Sequence, residues 1–258
     1  ITPETECRVR DSLALVDLYN STDGPNWINS WDLSEPMCNW HGISFSNQTC
    51  KGCLSSVKLF SNNLVGTLPP SIGNLSNLEE LILDFNTLKN IPEEIGGLIN
   101  LTRFTCRSCS LSEKIPDEIF NLTNLRTLIL DDNELSGSLS DSIGNLEHLT
   151  YLTLNQNNFS GEIPSTIGGI ENLQFLNLSE NQLEGMVPLE LENLNDLTYF
   201  YIGSNNLSGL IPEGIFISNP ALRNFDISNN NFSGDLPATI LDARCLRSLS
   251  IENNNISG

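Results

Sequence analysis

Positive charge is scarce in this chain. Against 32 Asp and Glu stand only 12 Lys and Arg, scattered rather than clustered, for a formal net charge of -20. Nucleic acids and anionic bilayers are bound by basic groups that displace condensed counterions, so both are excluded as partners. Histidine is scarcer still. His41 and His148 stand far apart along the chain, so a Ser-His or Cys-His set has no base within reach, and the chain reads as non-enzymatic with no catalytic residues. Two histidines are also too few for a zinc site around the single C-x-x-C at Cys50 and Cys53, so no metal and no cofactor is expected. Apolar runs of the length that spans a bilayer, about 20 residues, are missing, which excludes a membrane-spanning helix within these residues. The chain begins at Ile1 with neither Met nor a signal peptide, and is expected to be a processed or trimmed ectodomain.

What the chain has in abundance is leucine at fixed spacing. Residues 149–172, LTYLTLNQNNFSGEIPSTIGGIEN, recur before and after with a period of 24. Such self-similarity is the signature of a solenoid, in which each coil is too small to bury its own apolar edge and must stack on its neighbours. The first eleven residues read LxxLxLxxNxL. Alternation around Leu152 and Leu154 predicts a short strand with Tyr151, Thr153 and Asn155 turned to the opposite face. Asn157 falls where the chain leaves the strand, and its amide can both donate to and accept from backbone groups stranded in a buried turn. In the second half, Gly161 suits a tight turn, Pro164 a position needing no ladder donor, and Ile163, Ile167 and Ile170 point back to the core.

First positions fall at Leu54, Leu78, Leu101, Leu125, Leu149, Leu173, Leu197, Leu222 and Leu246, eight full repeats and a partial ninth. The amide column is Asn62, Asn86, Asn133, Asn157, Asn181, Asn205, Asn230 and Asn254, broken only by Cys109. Two regions follow: a cap over 1–53 and leucine-rich repeats over 54–258.

This pattern resembles the plant-type leucine-rich-repeat ectodomains, with their consensus LxxLxLxxNxLSGxIPxxIGxL, over essentially the whole chain. Gly66, Gly137, Gly161, Gly185, Gly209 and Gly234, with Pro69, Pro116, Pro164, Pro188, Pro212 and Pro237, match the GxIP segment. The resemblance implies an α/β solenoid: a leucine-rich-repeat superhelix with a concave parallel β-sheet, 3-10 turns on the convex side, a second short strand after the Asn turn, and an N-terminal helical cap. The second repeat lacks one residue and its glycine, and the third carries Glu113 where glycine is usual, so the second sheet is expected to break there.

In the cap, Val9, Leu13 and Val16 recur at helical spacing and predict an amphipathic helix from about Glu4 to Tyr19 that lids the first coil. The segment CNWHGI resembles the CxWxGV element of plant repeat caps, but Phe45 replaces the second cysteine of that element, and its pairing does not carry over. Cys7, Cys38, Cys50 and Cys53 allow three connectivities. The expected one is Cys7 with Cys38, which ties the helix to the Trp segment, and Cys50 with Cys53 across a Lys51-Gly52 turn. Cys106 and Cys109 occupy inward positions and are expected as buried thiols. Cys245 is the seventh cysteine, expected towards solvent.

Ten N-x-[ST] sequons, at Asn20, Asn47, Asn74, Asn100, Asn121, Asn158, Asn177, Asn206, Asn231 and Asn255, point to the secretory route, an extracellular or cell-surface location and N-linked glycans. Several arise because the repeat itself spells NLS or NLT. Third strand positions stack one coil apart as Glu80, Arg103, Thr127, Tyr151, Phe175 and Tyr199, with Tyr201 in the adjoining column. The aromatic stripe Tyr151, Phe175, Tyr199 and Tyr201 is a candidate ligand platform or a set of cross-strand packing pairs. Arg103, Arg107 and Arg126, flanked by Glu79, Glu80, Asp84, Asp131 and Asp132, form a second candidate zone or a paired surface. Two functions follow. One is an extracellular recognition module binding protein, peptide or glycan on its concave face, as the resemblance to receptor-kinase ectodomains and polygalacturonase-inhibiting proteins implies. The other is a glycosylated structural component of a matrix or self-assembling fibre.

Overall fold

A computed structural model describes residues 3–46 and 52–257. The chain forms two compact units, residues 1–133 and 134–258, each a run of coils with the expected order of strand, Asn turn, second strand and 3-10 turn. In the first unit, Ile43–Phe45 pairs antiparallel with Leu54–Lys58, which is followed in parallel by Glu80–Ile82, Arg103–Thr105 and Thr127–Ile129. The second unit carries Tyr151–Thr153, Phe175–Asn177, Tyr199–Tyr201, Asn224–Asp226 and Ser248–Ser250, all parallel. One side chain of each strand points inward, and Leu81, Phe104, Leu128, Leu152, Leu176 and Phe200 are all buried. The five-residue 3-10 turns, such as Ser165–Gly169 and Leu189–Asn193, begin after Pro164 and Pro188, whose fixed φ sets the turn's entry. In the seventh repeat an α-helical turn, Gly214–Ser218, replaces the 3-10 turn. That repeat is one residue longer, and Asn219 closes it, accepting from Leu197 N–H at 2.8 Å and donating to Ile215 C=O at 2.9 Å.

The asparagine column joins coil to coil. Asn181 Nδ2 donates to Leu178 C=O in its own coil at 3.1 Å and to Leu154 C=O in the preceding one at 3.0 Å, while Oδ1 accepts from Phe159 N–H at 3.0 Å. Asn86, Asn133, Asn205, Asn230 and Asn254 repeat the pattern. The residue before each of these is left-handed, as at Glu180 with φ 55 and Ser204 with φ 56. At the first coil the column meets the cap, where Asn62 Oδ1 accepts from Asn29 N–H at 2.7 Å.

The second sheet breaks at the third repeat, as expected. In the first unit it consists of Val65–Gly66 and Thr87–Leu88, and no second strand forms around Glu113; in the second unit it runs over six strands from Ser136–Gly137 to Asn255–Ser257. Gly137, Gly161, Gly185, Gly209 and Gly234 hold positive φ in that sheet, a conformation closed in practice to Glu113, which does not adopt it.

The cap helix spans Pro3–Ser21, but its buried face is not the expected one. Val9 and Leu13 are more than half exposed, and Cys7, Asp11, Ala14, Leu15, Leu18 and Tyr19 turn inward instead. A carboxylate decides the rotation, because Asp11 Oδ2 accepts the N–H of Leu54, the first residue of the first coil, at 3.1 Å. Burial lifts the Asp11 carboxyl above its ordinary range, opposed by that bond and by Arg10. The same rotation corrects the cystine pairing. Cys7 lies one turn before Asp11 and is bonded to Cys53, beside Leu54, with Cα atoms 5.8 Å apart. Cys38 is also in a disulfide; Cys50 and the sequon at Asn47 lie outside the described residues. Behind the helix, Tyr19, Trp27, Trp31 and Trp40 form one ring cluster with centroids 4.8 to 6.1 Å apart, and each indole N–H donates to a backbone carbonyl.

Cys106 and Cys109 are likewise not free thiols. Both are fully buried around the left-handed Ser108, with Cα atoms 5.6 Å apart, and are joined in a disulfide. The bond closes the turn that an asparagine closes elsewhere.

Replacing Asn181 with Ala strands buried donors and acceptors in two coils and is expected to cost about 1 to 3 kcal/mol. Urea unfolding measures it, and an unchanged midpoint would remove the ladder from the account of stability. Non-reducing peptide mapping is expected to recover Cys7 with Cys53, and replacing that pair with Ser to cost about 2 to 4 kcal/mol.

Candidate functional site: an aromatic stripe on the free sheet face

In the second unit, strand register brings Phe175 opposite both Tyr151 and Tyr199, and places Tyr201 opposite Asn177 on one side and Asp226 on the other. Parallel strands stack identical positions about 4.8 Å apart, which matches the thickness a column of rings needs. The Tyr151 and Phe175 rings stack at 4.2 Å; Phe175 lies 5.2 Å from Tyr199 and 5.6 Å from Tyr201, and the last two are 6.4 Å apart. All four are half-buried, each flanked by its neighbours and partly open to solvent. Cross-strand packing and a usable surface therefore coexist.

Burial pushes the Tyr201 phenol up, with Tyr199, Asp226 and Tyr151 adding to the shift. The Tyr201 hydroxyl thus stays protonated at neutral pH, and the stripe offers apolar ring carbons and hydroxyl rims, a chemistry suited to peptide or sugar. Beside it, Asn177 is half-buried and its Oδ1 accepts from both the N–H and the hydroxyl of Ser179, at 3.1 and 2.6 Å. Asp226, at the stripe's end, makes the equivalent bond to Ser228 N–H at 2.9 Å. Asp226 is not among the residues expected from sequence, although it stands in the column of Thr153, Asn177 and Tyr201.

The charged zone, in the first unit, is a paired network. Arg107 Nε meets Asp131, and Asp84 accepts from Arg107 N–H at 2.8 Å and from the Thr105 hydroxyl at 2.9 Å. Lys58 donates to Glu80 at 2.6 Å and holds that carboxyl below its usual range, with Arg103 in register beside Glu80. Arg126 precedes the strand Thr127–Ile129 and is exposed. Among the described sequons, Asn20, Asn74, Asn100, Asn121, Asn158, Asn206, Asn231 and Asn255 are exposed. The single described free thiol, Cys245, is exposed. Among the described residues no helix is long and apolar enough to cross a membrane, and no group of three His, Cys, Asp or Glu could hold a metal ion.

The Leucine Rich Repeat profile matches residues 53–75, 124–146, 148–170, 172–194, 196–216 and 221–242. Polygalacturonase inhibitor 1 of Arabidopsis thaliana is 31% identical over 34% of this chain and 26% of its own length. The chain spans about a quarter of the length of this inhibitor and of the probable receptor-like kinase RPK1 of Arabidopsis thaliana, which it also matches. Among solved structures, the ectodomain of the Arabidopsis thaliana receptor kinase GASSHO1/SCHENGEN3, in complex with CASPARIAN STRIP INTEGRITY FACTOR 2, is similar with a TM-score of 0.90 and 31% identity, over 96% of this chain and 30% of that one. A plant ice-binding protein is similar with a TM-score of 0.78 and 26% identity, over 98% of this chain and 88% of its own. This chain thus shares its solenoid fold with a plant receptor ectodomain, and it belongs to the leucine-rich-repeat family.

Proposed function

We propose that the protein is an extracellular, non-enzymatic recognition module that captures a protein, peptide or glycan on the aromatic stripe of the second unit. The observation that carries this reading is the contiguous row of four half-exposed rings, Tyr151, Phe175, Tyr199 and Tyr201, on an otherwise polar strand face. Rigid aromatic groups lose little conformational freedom on binding and dominate the energetics of interfaces. Similarity to a receptor ectodomain bound to a partner and to a polygalacturonase inhibitor supports the same use. The cap disulfide and the sequons favour an oxidising, secretory setting. The Arg107 zone fits a supporting role, since Arg107 and Asp131 already answer each other within the chain.

The test begins with a displayed random-peptide library selected against the native glycosylated protein. Phe175→Ala and Tyr199→Ala are expected each to weaken capture of the enriched peptides by more than about 1 kcal/mol, as for aromatic anchors. Unchanged capture by both variants would remove the stripe from the function. Glycopeptide mass spectrometry is expected to find Asn177 bare, because a large glycan there would cover Phe175 and Tyr201. Occupancy at Asn177 and at every other sequon, with contacts made only through the ends, would favour the matrix alternative instead.

Capture is also expected to hold constant between about pH 6 and pH 9, since the raised Tyr201 phenol stays protonated there. A proton retained by the fold above its unfolded value means stability that is full below about pH 10 and declines as pH rises towards the folded pKa. Ultraviolet titration of the phenols checks it: a tyrosine ionising near neutrality would contradict this electrostatic reading.

A further inference from the structure

Away from the stripe, where each GxIP segment enters its turn, the second unit carries a groove of about 1340 Å³. The residue before the buried Ile or Val of that segment points outward. In the sixth and seventh repeats it is Met186 and Leu210, where the repeats on either side have Glu162 and Asp235. Met186 is 69% and Leu210 68% exposed, and Leu189 and Ile217 beside them are similarly bare. Together with Pro188 and Pro212 they make a continuous apolar floor. Its rim is of one sign: Asp141, Glu162, Glu192, Glu213 and Asp235 line it with no Lys, Arg or His. Glu192 is tied back, accepting Gly214 N–H at 2.9 Å, and Asp235 accepts from the Ser257 hydroxyl at 2.7 Å; none of the five acids takes part in an ion pair among the described residues.

An exposed apolar patch rimmed by polar groups marks an interaction surface. At this volume the groove exceeds the usual range for a small-molecule pocket, about 300 to 1,000 Å³. From Leu139 to Leu236 it crosses four coil steps, roughly 19 Å at strand spacing, which matches about 13 residues of helix. A second copy of the chain is disfavoured, because a net charge of -20 and two acidic rims would repel. An anionic membrane is repelled for the same reason. We propose that the groove is a docking site for a cationic amphipathic helix of a partner polypeptide, its apolar stripe on Met186, Leu189, Leu210 and Ile217 and its Lys or Arg flanks against Glu162, Glu213 and Asp235. This surface is separate from the aromatic stripe and does not depend on it.

The probe is a fluorescein-labelled 14-residue Leu/Lys amphipathic peptide, titrated with the full chain at physiological salt and read by anisotropy, alongside a peptide of the same composition in scrambled order. The ordered peptide is expected to bind at least tenfold more tightly than the scrambled one. The double variant Met186→Ser, Leu210→Ser, whose sites are exposed and whose folding is checked by circular dichroism, is expected to lose at least tenfold, while Phe175→Ala changes nothing. Equal binding of the two peptides would reduce the effect to bulk charge and overturn the proposal. Loss with Phe175→Ala but not with the double serine variant would place the peptide on the stripe and overturn it equally. If the double serine variant unfolds, Leu210→Gln alone gives the same reading.

Discussion

Each coil of this chain leaves backbone donors and acceptors in a turn shielded from water, and in every coil but the third, one amide side chain answers them. Asn181 bonds carbonyls of two successive coils and a backbone N–H of the earlier one, so the side chain acts as a rung between coils. Without it the turn would bury unpaired polar groups, each costing more than the net gain of an ordinary hydrogen bond. The left-handed residue before each asparagine follows from the same requirement, since it turns the amide inwards. The leucines supply the bulk of the burial, but the amides fix the spacing at which the leucines can stack.

From that constraint comes the candidate site. Coils held in register place identical strand positions side by side, and any sequence bias in one column becomes a surface stripe. Tyr151, Phe175 and Tyr199 are 24 residues apart along the chain and about one strand spacing apart in the fold, with centroids at 4.2 and 5.2 Å. The acid-rimmed groove has the same origin on another edge of the coil, where Met186 and Leu210 stand in one column between Glu162 and Asp235. A repeat protein can therefore carry separate surfaces on one scaffold, each written in its own column.

The cap and the third repeat show how the ladder is ended and interrupted. At the first coil the cap satisfies the edge directly: Asn29 donates to Asn62, Asp11 accepts from Leu54, and Cys53 is bonded to Cys7. At the third repeat, a disulfide between Cys106 and Cys109 closes the turn in place of an amide, and Asn133 still accepts from Cys109 N–H at 2.9 Å. The column survives one missing rung because the following asparagine supplies the bonds that reach back.

The repeat period, the strand positions, the asparagine column and the aromatic stripe were all legible in the sequence, because in a solenoid spatial neighbours are sequence neighbours one period apart. The break in the second sheet was legible too, from Glu113 standing where a positive φ is needed. Where the chain leaves the repeat, local pattern was a poor guide. Helical spacing of Val9, Leu13 and Val16 announced a helix correctly but named the wrong face, since a single buried bond from Leu54 to Asp11 outweighed two exposed apolar side chains. The Cys7 partner depended on that rotation, so sequence separation could not supply it. Cys106 and Cys109 were read as inward-facing, which they are, but only the turn at Ser108 brought them within bonding reach. The groove, too, needed the tertiary structure: Met186 and Leu210 are unremarkable singly in the sequence, and become a surface only where stacked coils set them side by side between acids.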